Sequence, residues 1–135
     1  KFYEVVDLQS SMDAGLKVDA ATVMWWMQQS DEARAKFEVP SITLTMALTN
    51  FTKWVEVGGG DAFMWGNGAS FDNTILTSAY SKVGSRLPWK FYNDRCYRTI
   101  QEGFPYVEMD RTGVYQCAVD EAESQAKHLL KMFRK

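Results

Sequence analysis

Hydrophobic and polar positions along this chain of 135 residues follow two rhythms, one of strands and one of helices. Phe2-Tyr3-Glu4-Val5-Val6 is short, aromatic and β-branched, which predicts a strand. Asp7 to Lys17 is polar and predicts a loop. From Asp19 or Thr22 to about Phe37, Val23, Trp26, Met27 and Ala33 fall near helical spacing. Pro40-Ser41 marks a break, and Ile42, Met46, Leu48, Phe51, Trp54 and Val55 pattern a second amphipathic helix that Gly58-Gly59-Gly60 ends. Ala62-Phe63-Met64-Trp65 is a continuous apolar run suited to a strand buried on both faces. A helix from about Phe71 to Val83 follows, with Gly84 closing it. Asn93 to Ile100 predicts a short helix, Phe104 to Gly113 is irregular, and Cys117 to Phe133 is a last helix with Ala118, Ala122, Ala126, Leu129, Leu130 and Phe133 on one side.

Strands alternating with helices imply an α/β domain. Two strands are too few to cover four helices, so further strands either escape the pattern or precede Lys1. The chain starts with Lys1 and not Met, which suggests a fragment, a processed product or a truncated record. The length suits one domain, residues 1–135, with a real core.

Apolar residues make up 46% and charged residues 24%, ordinary for a globular protein. Aromatics reach 14%, with five Trp, which suits a dense core or surfaces that stack flat ligands. The net charge of −2 argues against a non-specific DNA-coating protein but not against a nuclease, whose metal supplies the positive charge. No apolar run approaches the roughly 18 residues of a membrane span, and no signal peptide is visible. Cys96 and Cys117 with one His make no zinc site of the usual kind, so free thiols in a reducing cytoplasm are expected.

The most informative stretch is Met64-Trp65-Gly66-Asn67-Gly68-Ala69-Ser70-Phe71-Asp72-Asn73-Thr74-Ile75-Leu76. It reads as a strand end, a glycine turn and a helix with Ser70 as N-cap and a carboxylate in its first turn. Taken alone, Asp72 is most simply a helix-capping residue. A dinucleotide-binding turn is a second reading, but Phe71 replaces the third glycine of G-x-G-x-x-G and Asp72 would repel a pyrophosphate.

The stretch resembles the second acidic motif of the DEDD-type 3′-5′ exonucleases, in the bacterial and phage exoribonuclease-like and exodeoxyribonuclease branch. Thr22 to Ser30, Pro88 to Arg95 and Gly113 to Leu129 fit the same branch in the same order, so the likeness spans nearly the whole chain. It implies a ribonuclease-H-like three-layer fold with a central mixed sheet, here lacking its first strand or strands. It also implies phosphodiester hydrolysis with two divalent cations, Mg²⁺ or Mn²⁺, held by carboxylates. The family's Asp-x-Glu strand has no counterpart after Lys1. Its third carboxylate maps onto Asp72. Its closing histidine, with an aspartate five residues on, falls on Gln116 and Glu121.

Both departures matter. Glutamine cannot take a proton near neutral pH, and loss of a base costs on the order of 10²–10⁴ in rate. Glutamate still binds a cation, but its carboxylate sits one methylene further out. His128, about 10 Å further along the helix, is too far to serve the same water and reads as a helix C-terminal histidine favoured by the dipole. Trp25, Trp26 and Gln29 would stack a terminal base or reach ribose, against the plainer reading as core or subunit contact. Asn67 is a further substrate contact. Arg95, with Arg98, would clamp phosphate, against a plainer salt bridge with Asp94 or Glu102.

The expected function is release of mononucleotides from a single-stranded 3′ end of DNA or RNA, in the cytoplasm, with a homodimer suggested by the tryptophans and the likeness. The rival is a catalytically inactive relative that binds nucleotide or a protein partner.

Overall fold

The computed structural model describes residues 1–134. Seven α-helices and two short strands are found among them: α1 Leu8–Asp13, α2 Ala20–Met27, α3 Asp31–Arg34, α4 Leu44–Val57, β1 Met64–Gly66, α5 Ala69–Val83, β2 Asp94–Cys96, α6 Tyr97–Glu102 and α7 Ala118–Phe133. Single 3₁₀ turns lie at Ala35–Phe37 and Phe91–Asn93.

β1 and β2 pair in parallel, with Met64 opposite Asp94 and Gly66 opposite Cys96. Parallel neighbours need a long crossover, and α5 supplies it. Asn73, buried on α5, locks the unit: its amide donates to Met64 O at 3.0 Å and to Asp94 Oδ1 at 2.9 Å. Trp89 Nε1 donates to the same oxygen at 2.9 Å. The main core joins α4 to α5 through Leu44, Leu48, Ala79, Tyr80 and Trp89. Tyr80, nearly sealed from solvent, shares its hydroxyl with Thr52 at 2.8 Å and donates to Leu48 O at 3.1 Å; burial pushes its phenol pKa up. A second cluster, Tyr97, Leu129 and Met132, seats α7 on α6.

Several expectations need correction. The strand at Phe2–Val6 reduces to one parallel bridge, Val6 to Ile42. The loop at Asp7–Lys17 contains α1, capped by Asp7 accepting from Ser10 N. The long helix to Phe37 breaks at Gln28–Ser30, because Ser30 caps a new helix by accepting from Ala33 N. The apolar stripe of that stretch is not a core: Val23 and Met27 are exposed, and Ala33 alone is buried. Part of the span read as a helix from Asn93 is strand β2. Gly68, with φ 97°, and not Ser70, is the N-cap of α5.

Candidate functional site

The corner between β1 and α5 is built by close approach. A Cβ on Gly66 would stand 2.5 Å from Asn73 Oδ1 and 3.1 Å from Asp72 Cβ, so only glycine lets the strand end lie against the first turn of the helix. No side chain caps the start of that helix. The Thr99 hydroxyl, the largest cause, and the N–H groups of Ala69, Thr99 and Gly68 favour the charged form of Cys96 and pull its thiol down to about 6. Asp72 is not used as a cap: Gly68 is the N-cap, and no side chain bonds the helix start. Its exposed carboxylate has no hydrogen bond or ion pair among the described residues.

Asp72 edges an apolar groove of about 500 Å³. Phe2, Leu44, Phe51 and Leu76 line one part of it, and Ala118, Val119 and Ala122 bring the first turns of α7 to the other. The backbone that carries Glu121 thus borders the same hollow as Asp72. The Glu121 carboxylate does not enter it: Arg111 Nη1 donates to both of its oxygens, at 2.9 and 3.1 Å. Its neighbour Asp120 accepts from Val114 N at 2.9 Å. Gly113 permits that bond, since its φ is 74° and a Cβ there would collide with the Asp120 carboxylate.

Gln116 stands just ahead of α7, half-buried, with φ 67°, the only non-glycine residue in the left-handed region among those described. Such a conformation costs roughly 1–3 kcal/mol and marks sites where geometry matters more than local comfort.

The other candidates are dispersed. No residue of α2 lines the Asp72 groove. Trp25 and Trp26 meet edge to face at 5.0 Å, and Phe37 meets Trp26 in the same way at 5.0 Å. Gln29 turns its amide back to Trp25 O at 3.0 Å. Arg95 leans away from the corner, donating to Tyr92 O and Asp94 O and covering the Phe63 ring at 4.4 Å. Arg98, absent from the strongest sequence candidates, reaches the corner: its Nη2 donates to Asn67 O at 3.2 Å. Neither arginine makes an ion pair among the described residues, so the salt bridge expected with Asp94 or Glu102 is replaced by bonds to carbonyls. His128 is not a solvent-facing residue at the helix end. It is buried, its Nε2 lies 2.6 Å from Val107 O and its Nδ1 lies 2.6 Å from Tyr97 OH. A carbonyl only accepts, so Nε2 carries a proton and donates to Val107 O.

Among the described residues no three His, Cys, Asp or Glu side chains gather closely enough to hold a metal ion. Two carboxylates, one of them committed to Arg111, do not fit a two-ion site. No helix is long and apolar enough to cross a membrane among those described.

An α/β architecture with a small parallel sheet, flanked by helices and bearing a free carboxylate at the strand-to-helix corner, is compatible with a nuclease domain. Residues 1–133 match the 3′-5′ exoribonuclease Rv2179c-like domain family, and the chain belongs to that family. No curated protein and no solved structure matches the chain.

Proposed function

We propose that this chain is a 3′-5′ exonuclease of the histidine-subtype DEDD plan, with a ribonuclease-H-like fold, that releases mononucleotides from single-stranded 3′ ends. The observation that carries the reading is the unpartnered Asp72 carboxylate beside a groove that the first turns of α7 also border, in a chain of exoribonuclease-like family. Asp72 is the proposed carboxylate at the reacting phosphate. Glu121 joins it once Arg111 lets go, and Gln116 holds a water by hydrogen bonding where a histidine would deprotonate it. Mg²⁺ or Mn²⁺ is the proposed cofactor, and it calls for oxygen ligands beyond these two residues. Arg98 at the glycine turn supplies positive charge toward phosphate, a part given to Arg95 on sequence grounds. Trp25 and Trp26 remain the proposed stacking surface for a base.

A second reading, a fold that binds nucleotide or a protein partner without cleaving, draws on Gln116 in place of a base and on the Glu121–Arg111 pair. The two separate in one assay. A 5′-labelled single-stranded oligonucleotide with Mn²⁺ is shortened stepwise by the wild-type chain and not by Asp72→Ala. Gln116→His raises the rate by about 10²-fold or more if a base is what the site lacks. Equal shortening by wild type and Asp72→Ala removes the catalytic assignment. Mn²⁺ binding followed by electron paramagnetic resonance gives a readout independent of turnover.

A further inference from the structure

β1 and β2 run parallel, so the Asn67–Gly68 turn and Asp72 lie at one end of the pair. Asp61 and the Phe91–Asn93 turn precede the two strands and lie at the other, where Asn93 Nδ2 donates to Ala62 O at 3.3 Å. At that far end a wide hollow of about 990 Å³ opens between α4 and the Ser85–Tyr92 segment. Tyr80 and Trp89, both buried in the main core, form part of its lining. Its rim carries Lys53, Arg86 and Lys90 against one carboxylate, Glu56. Lys90 is paired with Asp61 at 2.8 Å, whereas Lys53 and Arg86 have no ion pair among the described residues. In a chain of net charge −2, this is a local excess of positive charge.

The same rim holds two large rings in water. Phe91 is 79% exposed and Tyr92 59%, and they meet edge to face at 5.4 Å. Lys90 Nζ lies 5.8 Å from the Tyr92 ring centroid. Phe91 also borders a neighbouring hollow of about 560 Å³ in which Thr74, Thr77, Ser78 and Ser81 present hydroxyls along one side of α5, with Lys82 beside them. Free cations and exposed rings on the rim of one hollow, with a bank of hydroxyls in the next, together make a surface suited to single-stranded nucleic acid. Cations track the phosphates, rings stack bases of any sequence, and hydroxyls bond sugar and phosphate oxygens. An acidic peptide would satisfy the cations but would leave Phe91 and Tyr92 without a flat partner.

We propose that the hollow between α4 and the Ser85–Tyr92 segment is a second binding track for single-stranded nucleic acid, at the end of the sheet remote from Asp72, with Lys53 and Arg86 on phosphates and Phe91 and Tyr92 stacking bases. This rests on the nucleic-acid reading of the chain, but not on cleavage. It gives the protein a hold on the body of a strand that is separate from the hold on its 3′ end.

The test is fluorescence anisotropy with labelled oligouridylate of about twelve nucleotides, in EDTA so that nothing is cut. The doubly charge-reversed variant Lys53→Glu with Arg86→Glu lowers affinity at least about tenfold and flattens the dependence of log affinity on log salt by about two phosphate contacts. Phe91→Ala with Tyr92→Ala weakens binding roughly fivefold or more and leaves that slope unchanged. These side chains are exposed, so unchanged circular dichroism and melting temperature show that the variants fold. Unchanged affinity in both double variants overturns the proposal. So does an oligoglutamate peptide that binds as tightly as the oligonucleotide and is indifferent to loss of Phe91 and Tyr92, which makes the surface a protein dock. Binding without cleavage supports the track and removes only the catalytic reading. Cleavage with full binding by the charge-reversed variant removes only the track.

Discussion

Two helices of this chain begin next to the same groove, and they treat their acidic residues in opposite ways. At the start of α7 every charge is committed. Asp120 accepts from Val114 N, Glu121 is gripped by Arg111, and Ser124, one turn on, accepts from Thr112 N at 3.0 Å. At the start of α5 no side chain bonds the backbone N–H groups, those of Ala69 and Gly68 favour the charged form of the Cys96 sulfur, and Asp72 is left without a partner. A carboxylate that caps a helix or pins a loop stabilises the fold and is lost to chemistry. One held at a helix start by backbone geometry alone, with its cap supplied from elsewhere, is free to bind something. The contrast separates Asp72 from Glu121 on physical grounds, although both map onto acidic positions of the resemblance.

The sharpest way to break the contrast is at Gly113. Gly113→Ala forces an L side chain into a left-handed conformation and drives its Cβ into the Asp120 carboxylate. The expected loss is about 2–4 kcal/mol in urea unfolding. Asp120→Ala alone is expected to cost about 1–2 kcal/mol, from the lost bond to Val114 N. In the double variant the collision is gone, so the total falls short of the sum. Additive costs would mean that the glycine does not serve the carboxylate. Gln116→Gly is the complementary change. It relieves the strain at φ 67° and is expected to raise stability by about 1 kcal/mol while removing the side chain proposed to hold a water.

The long helices α4, α5 and α7 were legible because apolar spacing runs over many residues, with Gly58 and Gly84 marking the ends of the first two. β2 was not: Asp94-Arg95-Cys96 has no strand composition, and only pairing with β1 makes it one. The break before α3 was hidden because Ser30 sits inside a run that could continue as helix, and its capping bond is visible only in space. Asp72 was readable as a candidate because a glycine turn and a carboxylate in the first turn of a helix are local signals. The commitment of Glu121 was not, because its partner lies ten residues upstream in an irregular segment. His128 misled for the same reason: its partners, Tyr97 and Val107, come from α6 and a loop.

Smaller effects sharpen the contrast between the carboxylates themselves. Asp72→Asn is expected to change stability by no more than about 0.5–1 kcal/mol, the size of a charge–dipole interaction at an exposed helix start, and to weaken Mn²⁺ binding if the proposed ion is held there. Arg111→Ala removes a pair whose two side chains are 54% and 24% exposed, so its cost in stability is under about 1 kcal/mol. Its informative effect is on the proposed metal site: if Glu121 is a ligand, its release tightens Mn²⁺ binding. Unchanged Mn²⁺ affinity in Arg111→Ala would show that Glu121 has no part in holding the ion.

The smallest expected effect bears on what caps α5. Thr99 and the N–H groups of Ala69 and Gly68 favour the charged form of Cys96 and hold its pKa at about 6, well below the ordinary thiol value. The rate of alkylation by iodoacetamide should therefore rise through pH 6 and level off near neutrality, while buried Cys117 stays unlabelled. Thr99→Val removes the largest cause and moves the midpoint upward. The linkage has a definite sign: a thiol whose pKa is depressed on folding stabilises the folded chain fully above its unfolded pKa, and that contribution fades as pH falls through the folded value near 6. Stability at pH 9 relative to pH 6 should thus be lower in Cys96→Ser than in wild type. If labelling of Cys96 instead follows an ordinary thiol midpoint, the N–H groups of α5 are not engaged by sulfur. They would then be available to Asp72, and the difference between the two helix starts would shrink to the Arg111 contact alone.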